Sequence, residues 1–368
     1  MNGVTELRRL IDENNEKLLD LLSERGALVS HMRNLKEKKG EDLFDPRREH
    51  EMLERLIKAN QGPFPDEVIR SLFKEVFKAS LGLMSRKTIE SLRVYRSPGA
   101  KDKVIDVSGV TLGRYPQYIA GPCSVEGLDE LDAVAAGLSR QGVRLLRGGA
   151  YKPRTSPYSF QGMGEEGLRI LEEVATRHGM VSVTEVLDTR SAELVAAHAG
   201  ILQIGTRNMS NFELLKEVGR IGKPVLLKRG FMATLDEFLN AAEYIMAAGN
   251  NDIILCERGI RTFVKSTRNT LDISAVPLLK KNTYLPVIVD VSHAVGRKDL
   301  LEPLAAAAFA AGADGVMIEV HHDPLVAKSD AEQQLTVNEF AALAESVRRI
   351  IPGAAPAPVK RMEDVKCV

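Results

Sequence analysis

The sequence predicts an α/β protein, a (β/α)8 barrel preceded by an all-α three-helix domain that dimerises. Three observations carry this. From Tyr118 onward, eight short apolar runs alternate with segments of helical periodicity. Residues 4 to 39 contain no Pro and a single Gly, Gly26, and follow a 4-3 spacing of mostly apolar residues. A break at Ser97-Pro98-Gly99 separates the two textures.

The helical domain is expected over residues 1–85. Its first helix places Leu7, Ile11, Asn14, Leu18, Leu21, Arg25, Leu28, Met32 and Leu35 along one coiled-coil-like seam. At ~1.5 Å per residue this helix runs on the order of 50 Å. A domain of this size cannot cover such a seam by itself, which implies pairing with a second chain. Asp45-Pro46 reads as an N-cap followed by Pro at the first helical position. The second helix ends near Asn60, before the Gly62-Pro63-Phe64-Pro65 break. A third carries Val68, Ile69, Leu72, Phe73, Val76, Phe77 and Leu81 at helical spacing. Residues 86–116 read as a linker and a hairpin, VIDV-SG-VTLG, that closes the barrel. The barrel is expected over 117–352, and 353–368 as a loose tail. A doubly wound open sheet is the alternative, but eight β/α units at this spacing favour closure.

Composition bounds the function. Among 368 residues, Lys+Arg and Asp+Glu number 50 each, so a general nucleic-acid or anionic-membrane binder is disfavoured. The three cysteines, Cys123, Cys256 and Cys367, are far apart and form no disulfide framework. Charges within the first ten residues lead us to expect no signal peptide, and the longest apolar stretch, Ala305 to Ala311, is far short of a membrane span. The expected compartment is the reducing cytoplasm.

In a barrel of this kind, chemistry sits at the C-terminal ends of the strands. There the sequence places Cys123 at the end of the first strand, His293 at the end of the seventh, Glu319 at the end of the eighth and Asp330 in the following loop. Any one of these is ordinarily a buried or loop residue. Closure makes strands seven, eight and one neighbours, so together the four compose a mixed site for Mn, Fe, Co or Zn. The same rim carries Arg147, Lys152, Arg154, Arg207, Lys228 and Arg258. A single cation beside an apolar strand commonly pairs with a carboxylate. Six on one rim point to a polyanionic ligand bearing phosphates and a carboxylate. No phosphate-binding nucleotide motif follows any strand.

The segments GPCSVE (121–126), RGGAYKPRTSPYSFQG (147–162), IGTRN (204–208), LLKRG (226–230), CERG (256–259), DVSHAVGR (290–297) and IEVHHDP (318–324) resemble the metal-dependent 3-deoxy-D-arabino-heptulosonate 7-phosphate (DAHP) synthases, in family order. The resemblance spans residues 100–350 and implies a TIM barrel that condenses phosphoenolpyruvate with erythrose 4-phosphate. It implies Cys123, His293, Glu319 and Asp330 as ligands of one divalent metal, Mn or Fe, Co, Zn or Cd in its place. It implies Arg147, Lys152, Arg207, Lys228 and Arg258 as phosphoenolpyruvate contacts, and Arg154, Thr155 and Ser156 as erythrose 4-phosphate contacts. Lys152, His293 and Cys123 stand closest to the chemistry. The sibling family, which makes an octulosonate phosphate from arabinose 5-phosphate, lacks the KPRTS stretch and is the alternative.

ELRRLIDENNEKLLDLLSERGALV and FDPRREHEMLERL resemble the all-helical chorismate mutases over residues 5 to about 84. This implies Arg8 (reaching from the partner chain), Arg25, Lys36, Asp45, Arg48, Glu49 and Ser80 as contacts for chorismate or prephenate. Arg25 at a seam position fits that reading, since a buried cation there needs an anion. Met84 departs from the family, which carries there a Gln that hydrogen-bonds the breaking ether oxygen; a thioether cannot donate. The resemblance implies weak mutase turnover, feedback sensing of chorismate or prephenate, or both. It also implies a homo-oligomer, a tetramer assembled through the helical domain and the barrel.

Overall fold

The computed structural model describes residues 3–39, 41, 44–90, 92–152 and 158–352, without the side chains of Glu37 and of 83–90. The chain divides into two compact units, Met1–Leu92 and Arg93–Val368.

The first unit contains α1 (Gly3–Lys39), α2 (Pro46–Lys58) and α3 (Asp66–Glu90). The Asp45 carboxylate caps α2 by accepting the Arg48 N–H at 3.0 Å, with Pro46 in the first turn. Helix α3 packs on both α1 and α2. Val29 and Arg33 are the buried positions of α1 among the described residues, whereas Leu7, Ile11, Leu18, Leu21, Leu28, Met32 and Leu35 are exposed. The apolar seam is therefore not consumed by packing within the unit.

The second unit opens with an extended strap. Arg93 donates to Met246 O and Asn251, the Val94 N–H to Glu243, and Arg96 to Thr283 O. The hairpin β1 (Ile105–Val107) and β2 (Val110–Leu112) follows. Its turn residues Ser108 and Gly109 have φ of 50° and 78°, the left-handed pair that a two-residue hairpin turn requires. Ile105, Val107, Val110 and Leu112 join Ile119, Leu145, Val181, Ile201, Leu226, Ile254 and Ile288 in one apolar cluster. The hairpin thus plugs the barrel at the end opposite the C-terminal ends of its strands.

The barrel then alternates β3 (Gln117–Gly121), α4 (Leu128–Arg140), β4 (Leu145–Arg147), α5 (Glu165–Arg177), β5 (Val181–Val186), α6 (Ala192–His198), β6 (Ile201–Ile204), α7 (Phe212–Ile221), β7 (Val225–Lys228), α8 (Leu235–Ala247), β8 (Ile253–Glu257), α9 (Ala275–Asn282), β9 (Val287–Asp290), α10 (Val291–Val295), α11 (Leu301–Ala310), β10 (Gly315–Glu319) and α12 (Val337–Ile350). The strands β3 to β10 close into a parallel barrel, with β10 beside both β3 and β9. Their residues are buried almost throughout, which is why they read as continuous apolar runs and not as alternating ones. The Glu319–Gly121 pairing aligns the rims of β10 and β3. The expected tail, 353–368, lies outside the described residues.

Candidate active site

Closure brings four ligand-type side chains to one sector. Cys123 lies two residues beyond β3, and Glu319 is the last residue of β10. His293 sits not on a strand but on α10, the single turn that follows β9. Asp330 follows β10 by eleven residues and adopts a left-handed backbone, φ 49°. One donor atom from each of the four lies within 4.8 Å of the others. The Asp290 carboxylate caps α10 and fixes the imidazole. It accepts the His293 N–H at 3.0 Å and stands 2.8 Å from Nδ1. That leaves Nε2 facing the cluster, 3.2 Å from Glu319 and 3.9 Å from Asp330. Cys123 Sγ stands 3.5 Å from the Asp330 carboxylate.

The electrostatics suit a cation. Burial pushes the Cys123 thiol up to about 12, Glu319 adds to the shift, and Lys152 and Arg147 oppose it. Burial also raises the Glu319 carboxyl, but His293, Arg147 and Lys152 together hold it well below the ordinary range. Burial lowers the His293 imidazole against the pull of Asp290 and Glu319, which keeps a ring nitrogen available as a ligand. A thiol, an imidazole and two carboxylates converging in a buried sector are a donor set that a divalent ion fits. Arg147 pairs with Glu319, and Lys152 Nζ lies 3.1 Å from Cys123 Sγ.

Beside this cluster lies a cavity of about 270 Å³ lined by Arg147, Lys152, Arg207, Lys228, Arg258 and Arg268, together with Glu185, Gln203, Ser159, Phe231, His293 and Asp330. Five of these cations were expected from sequence; Arg268 was not, and it reaches Asp330 at 3.3 Å. Phe231 offers its ring to Arg207 and Arg258 at 5.6 and 4.9 Å. Lys228 is buried against Asp290. Behind the rim, Arg229 bridges Glu257 and Asp272 at 2.8 and 2.9 Å and ties together the loops that carry Lys228 and Arg258. The backbone must approach Glu185 closely, since a Cβ at Gly205 would fall 2.0 Å from its carboxylate. Glu185 was missed, although an acid one residue before the end of an apolar strand at this rim was a findable signal. Arg154, Thr155 and Ser156 lie outside the described residues.

The helical unit holds a second cavity, of about 280 Å³. Its lining includes Arg25, Lys36, Asp45, Arg48, Glu49 and Ser80, with Val29, Met32, Phe44, Met52, Phe77 and Leu81. The Arg25 guanidinium lies over Phe77 at 5.3 Å, and its buried Nε has no hydrogen-bond partner among the described residues. Ser80 Oγ donates to Val76 O at 2.7 Å. Arg8 is exposed on α1 and does not line this cavity. Met84 lies on α3, with its side chain outside the description.

The family comparison decides between barrel chemistries. The model of the DAHP synthetase I family matches residues 102–351. The chain belongs to that family. Its helical unit is a chorismate mutase type II domain, matched over residues 7–84. The phospho-2-dehydro-3-deoxyheptonate aldolase of Thermotoga maritima is 55% identical over 251 residues, covering 68% of this chain and 74% of that protein. A 2-dehydro-3-deoxyphosphooctonate aldolase of Bradyrhizobium diazoefficiens is 33% identical over 270 residues, 66% of this chain and 93% of that one. A crystal structure of the Thermotoga DAHP synthase superposes with a TM-score of 0.69 at 54% identity, covering 71% of this chain and 76% of that chain. A truncated form of the synthase from the same organism gives 0.66 at 50% identity, covering 70% and 95%.

Proposed function

We propose that the barrel condenses phosphoenolpyruvate with erythrose 4-phosphate and water, giving DAHP and phosphate as the first step toward aromatic amino acids. The observation that carries this reading is the meeting of a four-ligand cluster with a cationic cavity at one rim. C3 of phosphoenolpyruvate attacks the aldehyde carbon, water adds at C2, and phosphate leaves with cleavage of its C–O bond. Cys123, His293, Glu319 and Asp330 would hold a divalent ion, Mn or Fe, Co, Zn or Cd in its place, which supplies Lewis acidity toward the aldehyde oxygen.

The chain's own groups do the rest. Arg147, Lys152, Arg207, Lys228 and Arg258 hold two anions together that would otherwise repel, a task of orientation and electrostatics. Arg207 and Arg258 make no ion pair among the described residues, so a phosphate gains most beside them. Arg154, Thr155 and Ser156 take the phosphate of the second substrate. Lys152, whose ammonium is favoured by Cys123 and Glu319 against its burial, holds a proton beside the reacting oxygen. Glu185, which lines the cavity as Asp330 does, receives a proton from the attacking water in this reading.

In the helical unit, Arg25, Lys36 and Arg48 bind the carboxylates of chorismate or prephenate, with Asp45, Glu49 and Ser80 around them and Arg8 supplied by a second copy. This domain turns chorismate over slowly, because Met84 replaces a donor, and it senses the ligand for feedback. The exposed seam of α1 makes the chain a homo-oligomer, a tetramer when barrel contacts are added, in the cytoplasm. The test is an assay of purified protein with Mn²⁺. Phosphoenolpyruvate should be consumed only when erythrose 4-phosphate is present, and preference for arabinose 5-phosphate would assign the octulosonate reaction instead.

A further inference from the structure

Two adjacent glutamines in the loop after β10 are buried against the metal-ligand cluster. Gln334 is fully buried. Its Oε1 accepts the Cys123 N–H at 2.9 Å, and its Nε2 donates to Ser329 O at 2.8 Å. The orientation of this carboxamide is forced, because an amide N–H can only donate and a carbonyl can only accept. One side chain therefore joins the segment after β3, which carries Cys123, to the residue immediately before Asp330. The backbone of the next residue fixes where it starts. The Leu335 N–H donates to Glu319 O at 2.9 Å, and the His321 N–H donates to Leu335 O at 2.8 Å, so this segment runs alongside the end of β10. Gln333 adds a bond to the Glu319 carboxylate and receives one from Arg268 at 3.1 Å.

The Asp330 backbone needs such support. Its φ of 49° lies in the left-handed region, which an L residue rarely adopts unless its surroundings hold it there. A loop free to relax would carry the Asp330 carboxylate away from Cys123, whose Sγ it now approaches at 3.5 Å.

We propose that Gln334 is a positioning residue for the metal centre, its carboxamide tying the Cys123 backbone to the Ser329–Asp330 turn and so setting the separation of two ligands before any ion arrives. This rests on the metal-centre reading of the barrel. Groups that orient metal ligands typically contribute about 10–100-fold in metal affinity. Gln334→Met keeps the side-chain length and removes both bonds. Gln334→Glu keeps the acceptor for the Cys123 N–H and sets an acceptor against Ser329 O.

The experiment is equilibrium titration of metal-stripped, full-length wild type and both variants with Mn²⁺, and with Cd²⁺ read by its thiolate charge-transfer absorption. Thermal unfolding of the metal-free forms runs alongside. Gln334→Met should bind Mn²⁺ about 10–100-fold more weakly, and Gln334→Glu at least as weakly. Turnover should return to near wild type when Mn²⁺ is saturating, with the KM for phosphoenolpyruvate unchanged. A folded Gln334→Met that binds Mn²⁺ within twofold of wild type overturns the proposal, even if its unfolding temperature has dropped; the glutamine is then only packing. A wild-type protein that binds no Mn²⁺ would instead overturn the metal-centre reading itself.

Discussion

Replacing Arg25 by Met separates stability from ligand recognition in the helical domain. The buried Nε of Arg25 has no partner among the described residues, and an unmade buried hydrogen bond costs about 1–3 kcal/mol. The stacking of the guanidinium on Phe77 at 5.3 Å returns about 0.5–2 kcal/mol. Met fills a similar volume, needs no partner and still packs on the ring. Arg25→Met should therefore leave the ligand-free helical unit as stable as before, or more stable by up to about 2 kcal/mol. At about 4–8 °C per kcal/mol for a domain of this size, that is readable by scanning calorimetry. A bound carboxylate, by contrast, supplies the missing acceptor through a charge-assisted bond of about 1.5–3 kcal/mol. Its loss should weaken chorismate or prephenate binding by about 10–150-fold, measured by titration calorimetry on the full chain. Two results would refute the reasoning. One is ligand affinity within threefold of wild type, which would place the anion away from Arg25. The other is a ligand-free unit destabilised by more than about 1 kcal/mol, which would make Arg25 a net stabilising residue.

Three further outcomes are expected. Cys123→Ser removes the soft ligand and should cut metal affinity sharply, and EDTA should abolish synthase activity while leaving mutase activity intact; full synthase activity in a verified metal-free sample would falsify the metal requirement. Deleting residues 1–90 should leave an active barrel, because the helical unit and the barrel are separate compact units, but should remove inhibition by chorismate or prephenate; inhibition that persists would place the sensor in the barrel. Met84→Gln should raise mutase turnover by up to about a hundredfold and change ligand affinity little, because the restored donor acts on the ether oxygen as it gains charge; unchanged turnover in a folded variant would show that Met84 only packs.

Most of the fold was legible because its signals are periodic. The eight apolar runs became β3 to β10, and the Pro-free 4-3 repeat became α1. The four-donor cluster was legible because residues of scarce types, a cysteine and a histidine, fall near strand ends. His293 shows the limit of that rule: it lies on a one-turn helix whose cap, Asp290, sets its tautomer, and a capping Asp inside an apolar run looks like any strand residue. Gln333 and Gln334 were invisible for a different reason. Polar residues in a polar loop carry no pattern, and their meaning comes only from what closure places across from them.

The cations illustrate the same boundary with consequences for chemistry. Sequence reasoning counts each Lys or Arg on the rim as equally available to an anion. In the fold they divide. Arg147 pairs with Glu319, Lys228 with Asp290 and Arg268 with Asp330, and Lys152 leans on Cys123. Breaking a buried pair to free one partner costs several kcal/mol, so Arg147 and Lys228, whose pairs are buried, serve an incoming anion only while keeping their carboxylates satisfied. Arg207 and Arg258 face Phe231 instead, and a phosphate meets them without displacing a carboxylate. Burial lowers the Arg258 guanidinium, against the pull of Asp290, which means that a dianion beside it recovers interaction the ligand-free site lacks. In the proposed reaction this pairing pattern orients phosphoenolpyruvate with its phosphate toward Arg207 and Arg258 and its reacting carbons toward the four-donor cluster, a polarity that comes from barrel closure and that no single motif contains.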